Sequence, residues 1–171
     1  MTIAWKTLVT TLAASGAVVV SGPNLGSPAL IWNASASVPI GLYRVQPDPR
    51  PHVDDIVVVR PPDDLVWFLA EGGYLPRGVP LLKHVAALGG QRVCRIGRAL
   101  SIDGEQVGGA LERDHRGRAL PVWQGCVVLS DAQVFLFNAD RPDSLDGRYF
   151  GPLERNTIVG RASPVWTHEE P

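Results

Sequence analysis

Lys83 is one of two lysines in the chain, and it stands within Leu81-Leu82-Lys83-His84-Val85-Ala86-Ala87-Leu88, a largely apolar run of strand character. Alternation along a strand puts Leu81, Lys83 and Val85 on one face. Burial disfavours an ammonium and can lower a lysine pKa by several units, leaving a neutral amine able to take a proton from a serine hydroxyl. The competing reading is a lysine that extends to solvent or pairs with a carboxylate. Ser37 is the candidate nucleophile. It precedes Val38-Pro39, and the proline biases Val38 toward an extended conformation that would present the hydroxyl at a strand edge or turn. By itself a serine before a proline is an ordinary turn residue. Ser35, two positions earlier, projects to the same side of an extended segment, where its hydroxyl and the Ser37 N–H could form an oxyanion hole.

A third island, residues 140–151, is dense in turn formers and charges. Ser144 could bond the Lys83 amine, while Asp146 and Arg148 pair to hold the loop in place. The alternative is a solvated loop with a local ion pair of small worth.

These residues need a framework, and the composition indicates which kind. The 171 residues suit one domain with a real core. Gly 18 and Pro 15 disfavour long helices and favour turns. Strand signals run over 42–45, 56–60, 81–88, 92–96, 99–107, 127–130, 134–137 and 157–165. Asp103-Gly104 predicts a two-residue hairpin turn, so the sheet is largely antiparallel. Pro61-Pro62-Asp63 followed by an apolar-rich segment and Gly72-Gly73 predicts one short helix. The polar stretch 112–118 reads as an exposed loop or hairpin tip.

Sixteen basic against 17 acidic residues argue against a nucleic-acid partner. Two cysteines and four scattered histidines cannot by themselves supply the usual zinc set, and no metal or other cofactor is expected. Cys94 and Cys126 favour a disulfide if the chain is exported, with two buried thiols as the alternative.

Residues 7–20 form an apolar stretch preceded by Lys6 and closed by Ser21, Gly22 and Pro23. It is shorter than the roughly 20 residues of a full span, so a signal-peptide core, a weak anchor and a buried core helix all fit. The expected division is an N-terminal membrane segment over 1–28 and a catalytic domain over 29–171. Positive charge at the N-terminus and Lys6 places that end in the cytoplasm and the domain outside. Cleavage after Ala36 would leave the candidate nucleophile at a new N-terminus, which favours retention of the segment.

In this order the three islands resemble the signal peptidase I-like Ser/Lys proteases. Ser35-Ala36-Ser37-Val38-Pro39 is similar to their serine box, with one residue fewer before the proline. Lys83 to Gln91 is similar to the lysine box but lacks its proline and aspartate. Asn138 to Gly151 keeps Arg141, Ser144, Asp146, Arg148, Tyr149 and Gly151 of the third box. The tail Val159-Gly160-Arg161-Ala162 with Trp166 resembles the end of that catalytic core. The resemblance implies Ser37 as nucleophile, Lys83 as general base, Ser35 in the oxyanion hole and a mainly β fold of antiparallel coiled sheets with one or two short helices.

Ser-Val-Pro-Ile-Gly-Leu-Tyr together with Leu-Lys-His-Val-Ala-Ala-Leu-Gly-Gly is more similar to the conjugative-transfer (TraF) branch than to housekeeping leader peptidases. That branch implies a bacterial inner-membrane protein with a periplasmic domain, working with the conjugative transfer machinery on a pilin precursor. In some members the product is cyclised, since an ester on Ser37 can be attacked by water or by an amine. The alternatives are a general signal peptidase, a non-catalytic periplasmic component of a conjugation or secretion apparatus, and a self-cleaving repressor. The last needs a DNA-binding segment where this chain is apolar.

Overall fold

The structure is a computed structural model that describes residues 30–47 and 50–168. The expected membrane segment, 1–28, lies outside the described residues. Among those described, no helix is long and apolar enough to cross a membrane.

Eleven strands form two antiparallel sheets among the described residues. The first has seven: β1 (Leu30–Asn33), β2 (Ile40–Gln46), β11 (Ile158–His168), β3 (Ile56–Val59), β4 (Leu81–Leu88), β9 (Gln133–Leu136) and β10 (Leu153–Glu154), in that spatial order. The second has four: β7 (Glu105–Gly109), β6 (Ala99–Ile102), β5 (Arg92–Ile96) and β8 (Gly125–Val128). Among the described residues there are two short α-helices, α1 (Asp63–Glu71) and the single turn α2 (Gly147–Phe150). The expected mainly β class is what is found.

β3 shows why the first sheet is stable. Its valines are buried on both faces, Val58 packing with Tyr43, Val45 and Leu82, and Val57 and Val59 packing with Val85, Val134 and Leu136. Burying a side chain of this size contributes about 1.5–3 kcal/mol. β4 is the structural hinge between the sheets. Its first half pairs with β3, while Ala87 joins Val93, Leu100, Phe135 and Phe137 in the cluster shared with the second sheet. Lys83 is therefore mounted on a strand held on both sides, by β3 and by β9.

The predicted hairpin turn forms, with Asp103 at φ 51° and Gly104 at φ 89°, the positive values a type I′ turn requires. The Asp103 carboxylate accepts from Arg92 N at 2.7 Å and Gln91 Nε2 at 3.0 Å, and these bonds hold its pKa below the ordinary value. α1 starts after Pro62, carries Asp63 and Asp64 in its first turn and buries Leu65 and Leu69. Acidic residues there complement the helix dipole. Cys94 and Cys126 face each other across β5 and β8 with Cα atoms 4.0 Å apart and are joined. Closing a loop of 32 positions stabilises by about 3–4 kcal/mol in the chain-entropy picture.

The stretch 112–118 is the expected hairpin tip, mostly exposed and closed by the antiparallel Arg113–Ala119 bridge, and it is anchored through Asp114, which accepts from Tyr74 Oη at 2.6 Å and pairs with Arg118 at 2.6 Å. Arg118 in turn donates to the Gly72 carbonyl at the end of α1. Two features differ from the sequence reading. Leu30–Asn33, where no strand is predicted, is an edge strand paired with β2. β11 is also longer than expected and reaches His168, with a register shift between Pro164 and Trp166.

Candidate active site

Ser35, Ala36 and Ser37 lie in the turn between β1 and β2 rather than in an extended segment. Asn33 explains the difference. Its Oδ1 accepts from Ser35 N at 3.1 Å, and its Nδ2 donates to the carbonyls of Ser35, Val38 and Pro39 at 2.8, 3.0 and 3.1 Å. One buried amide thus fixes the whole turn. Tyr43 Oη adds a bond to Pro39 O at 2.6 Å. The turn still brings the two hydroxyls together, with Ser35 Oγ and Ser37 Oγ 3.0 Å apart. Ser35 Oγ also donates to Asn33 Oδ1 at 3.0 Å, so its proton is engaged in the free protein and must turn away to serve an oxyanion.

Lys83 is 3% exposed, and its Nζ donates to Ser144 Oγ at 2.8 Å. Burial pushes its pKa down to about 8; Asp146 and Asp143 pull it upward and Arg148 pushes it down, but burial dominates. A substantial neutral fraction near pH 8 is what a general base needs. Ser35, Ser37, Lys83 and Ser144 all line one cleft of about 390 Å³, whose apolar lining includes Leu69 of α1, Leu75, Leu120 and Leu145. The Tyr74–Asp114–Arg118 cluster braces the α1 wall against the 112–118 loop. Burial tends to raise the Asp114 carboxyl, but bonds from Tyr74, Arg118 and Arg116 outweigh it and hold the pKa well below the carboxylate range.

Asp146 and Arg148 are 2% and 1% exposed, so this ion pair is far from a solvated one. Arg148 Nε reaches Asp146 Oδ1 at 2.8 Å and Nη2 reaches Oδ2 at 3.0 Å. The guanidinium also donates to the carbonyls of Asn138, Arg141 and Pro142 at 2.8, 3.0 and 2.9 Å, which fixes the loop carrying Ser144. Gly147 is required beside it, since a Cβ there would lie 2.6 Å from the Leu136 carbonyl.

Sequence reasoning passed over Asn138, which ties the three islands together. Its Nδ2 donates to Ser37 O at 2.5 Å and lies 3.4 Å from Ser144 Oγ, its Oδ1 accepts from His84 N at 2.9 Å, and its N–H donates to Asp146 Oδ2 at 3.0 Å. Its place at the head of the third box, two residues before the island itself, was the available signal. Nothing in a single sequence says that an asparagine there faces a turn 101 residues away.

The model of the family described as signal peptidase, peptidase S26, matches residues 4–167. The chain belongs to the signal peptidase family, peptidase S26. Family membership implies serine peptidase activity. The chain is similar to the conjugal transfer protein TraF of Agrobacterium fabrum (strain C58), 38% identical over 150 residues covering 80% of this chain and 82% of that protein. It is equally similar to the probable conjugal transfer protein TraF of Sinorhizobium fredii, 38% identical over 146 residues covering 80% of this chain and 76% of that protein. A crystal structure of a signal peptidase I from Enterococcus faecalis aligns with 66% of this chain and 96% of its own, with a TM-score of 0.39 and 18% identity.

Proposed function

We propose that this peptidase acts through a Ser37–Lys83 dyad to process a pilin precursor for conjugative transfer. The observation that carries the dyad is Lys83 itself: a buried amine with a pKa lowered to about 8, opening on the same cleft as Ser37. Ser37 Oγ attacks the scissile carbonyl while its proton passes to the Lys83 amine. The Ser37 N–H and Ser35 Oγ receive the oxyanion. Collapse returns the proton from Lys83 to the leaving amine and leaves an ester on Ser37. Water then releases a linear product, or the amine of the substrate's own N-terminus releases a cyclic one, each giving up a proton to Lys83 and restoring the serine.

The assignment to conjugation rests on similarity to proteins named for conjugal transfer. Placement as an inner-membrane protein with its catalytic domain in the periplasm is supported by the apolar stretch over 7–20 and by the Cys94–Cys126 disulfide, which suits an oxidising compartment. The membrane and the transfer machinery are then its partners.

The test is the intact mass of a conjugative pilin precursor co-expressed with this protein, beside Ser37→Ala and Lys83→Ala controls. A product one water lighter than the trimmed linear peptide establishes cleavage and cyclisation together, and a linear product establishes hydrolysis. Processing that persists in Lys83→Ala would sink the dyad. Trimming of unrelated exported precursors instead of the pilin would make this a general signal peptidase.

A further inference from the structure

Three depressions lie in a row through the candidate nucleophile. The cleft containing Lys83 shares Ser37 with a second depression of about 310 Å³, which runs past Asn138 and Arg141. The second shares His84, Ala139 and Asp140 with a third of about 370 Å³. The third has an apolar floor formed by Phe137 and by Ile102 and Val107 of the β6–β7 hairpin. One groove thus crosses the reacting serine and continues from the first sheet onto the second.

The far half of this groove has no part in the acyl chemistry, yet its walls are fixed. Asp54, at φ 73°, donates its N–H to Val85 O at 2.8 Å, and Val85 N returns a bond to Asp55 O at 2.9 Å. His84 Nδ1 lies 3.3 Å from the Asp54 carbonyl. A peptidase gains rate by holding the chain on both sides of the reacting bond, because orientation of the scissile carbonyl is then settled before attack. A chain whose scissile bond sits at Ser37, with one segment in the Lys83 cleft, finds a continuous path for its other segment only past His84 and Asp140 among the described depressions. Distance along β4 sets the scale. The third depression is lined by Val85 and Ala86, two and three residues beyond Lys83, or about 7–10 Å at ~3.3 Å per residue.

We propose that the far half of the groove is a specificity subsite for an extended polypeptide, seating a large apolar side chain two or three residues from the scissile bond against Ile102, Val107 and Phe137. This rests on the peptidase reading of Ser37 and Lys83. Asp54 and Asp140 both line the seat, whereas Arg141 stands toward Ser37, so an acidic side chain at the seated position is rejected.

The experiment is cleavage of a mixed library of unstructured peptides by the purified full chain, with cut sites read by mass spectrometry. The wild type is expected to enrich Leu, Ile, Val or Phe and to deplete Asp and Glu two or three positions from the bond, on the side opposite the preference imposed by the Lys83 cleft. Ala139→Trp fills the junction of the two depressions from an exposed position and is expected to reduce that enrichment about tenfold, the discrimination one apolar contact supplies. Val107→Lys is expected to abolish the apolar enrichment and to relieve the depletion of Asp and Glu, an outcome that misfolding cannot mimic. Preferences confined to one side of the bond, or a far-side preference that neither substitution moves, would overturn the subsite and leave the peptidase standing. A wild type that cuts nothing would overturn the peptidase reading, and the subsite with it.

Discussion

Lys83 Nζ donates to Ser144 Oγ across 2.8 Å, although 61 positions separate the two residues in the chain. The strand supplying the amine is clamped between β3 and β9, and the loop supplying the hydroxyl is stapled by Arg148. A hydroxyl can accept from an ammonium and donate to an amine, so the same contact serves both protonation states of a general base. Ser144→Ala removes this aim while leaving the fold, since depriving the buried amine of this acceptor costs about 1–3 kcal/mol. The expected result is a fall in kcat of about 10–100-fold with KM nearly unchanged, read on any peptide the wild type cuts. A KM effect with kcat intact would place Ser144 in binding instead.

Activity should follow the neutral fraction of Lys83. With its pKa lowered by burial to about 8, the amine is protonated and idle in mild acid and free above that value. The rate should rise about tenfold per pH unit on the acid side and level off above pH 8. Rates measured between pH 6 and 9 on one substrate are sufficient, and a flat profile would exclude Lys83 as the titrating base.

The same burial makes a prediction about stability, with the sign fixed by which state holds the proton. Below pH 8 Lys83 is protonated in both states, and the folded protein carries the full desolvation penalty. Between 8 and the ordinary 10.5 the unfolded chain keeps a proton that the folded one has lost, so wild-type stability rises with pH through that window. A shift of this size corresponds to about 3 kcal/mol. Lys83→Met, of similar volume, should therefore be more stable than the wild type at pH 7 by up to that amount, with the gain fading toward pH 10. Denaturant melts at the two pH values check it; an unchanged or reduced midpoint at pH 7 would show that the ammonium is adequately solvated.

The framework around these residues was largely legible because it depends on local signals. Short apolar-rich runs over 81–88 and 92–96 gave β4 and β5 with their observed bounds, and Asp103-Gly104 marked its turn through the backbone conformation it tolerates. β1 was not legible. An edge strand with exposed Leu30 and Trp32 has no inward-outward alternation to read, and its partner contact, Trp32 stacked on Trp166 at 5.9 Å, is made across the whole chain. The candidate site divides in the same way. Lys83 was visible because an amine in an apolar strand is locally unusual, whereas Ser37, an ordinary turn residue by itself, stood out only through its place in the serine box. Asn33 and Asn138 were not, since an asparagine is common in turns and only the fold discloses which backbone carbonyls it reaches.

Asp146 and Arg148 carry the last prediction. The carboxylate accepts both arms of the guanidinium, caps α2 through Arg148 N at 3.1 Å and holds Asn138 N, all out of solvent. The guanidinium also lies 4.5 Å over the Phe137 ring, so it has no route to water. Asp146→Asn keeps the shape and removes the charge, leaving a buried cation unpaired, which costs about 3–5 kcal/mol. For a chain of this length that lowers Tm by roughly 10 °C or more. Because Asn138 bonds both Asp146 and the Ser37 carbonyl, activity should fall below what the loss of folded protein explains, even well under the new Tm. Replacing both partners, Asp146→Asn with Arg148→Met, should recover part of the stability by removing the stranded charge and none of the activity. Recovery of activity in the double variant would mean that the pair maintains the fold without placing the serine.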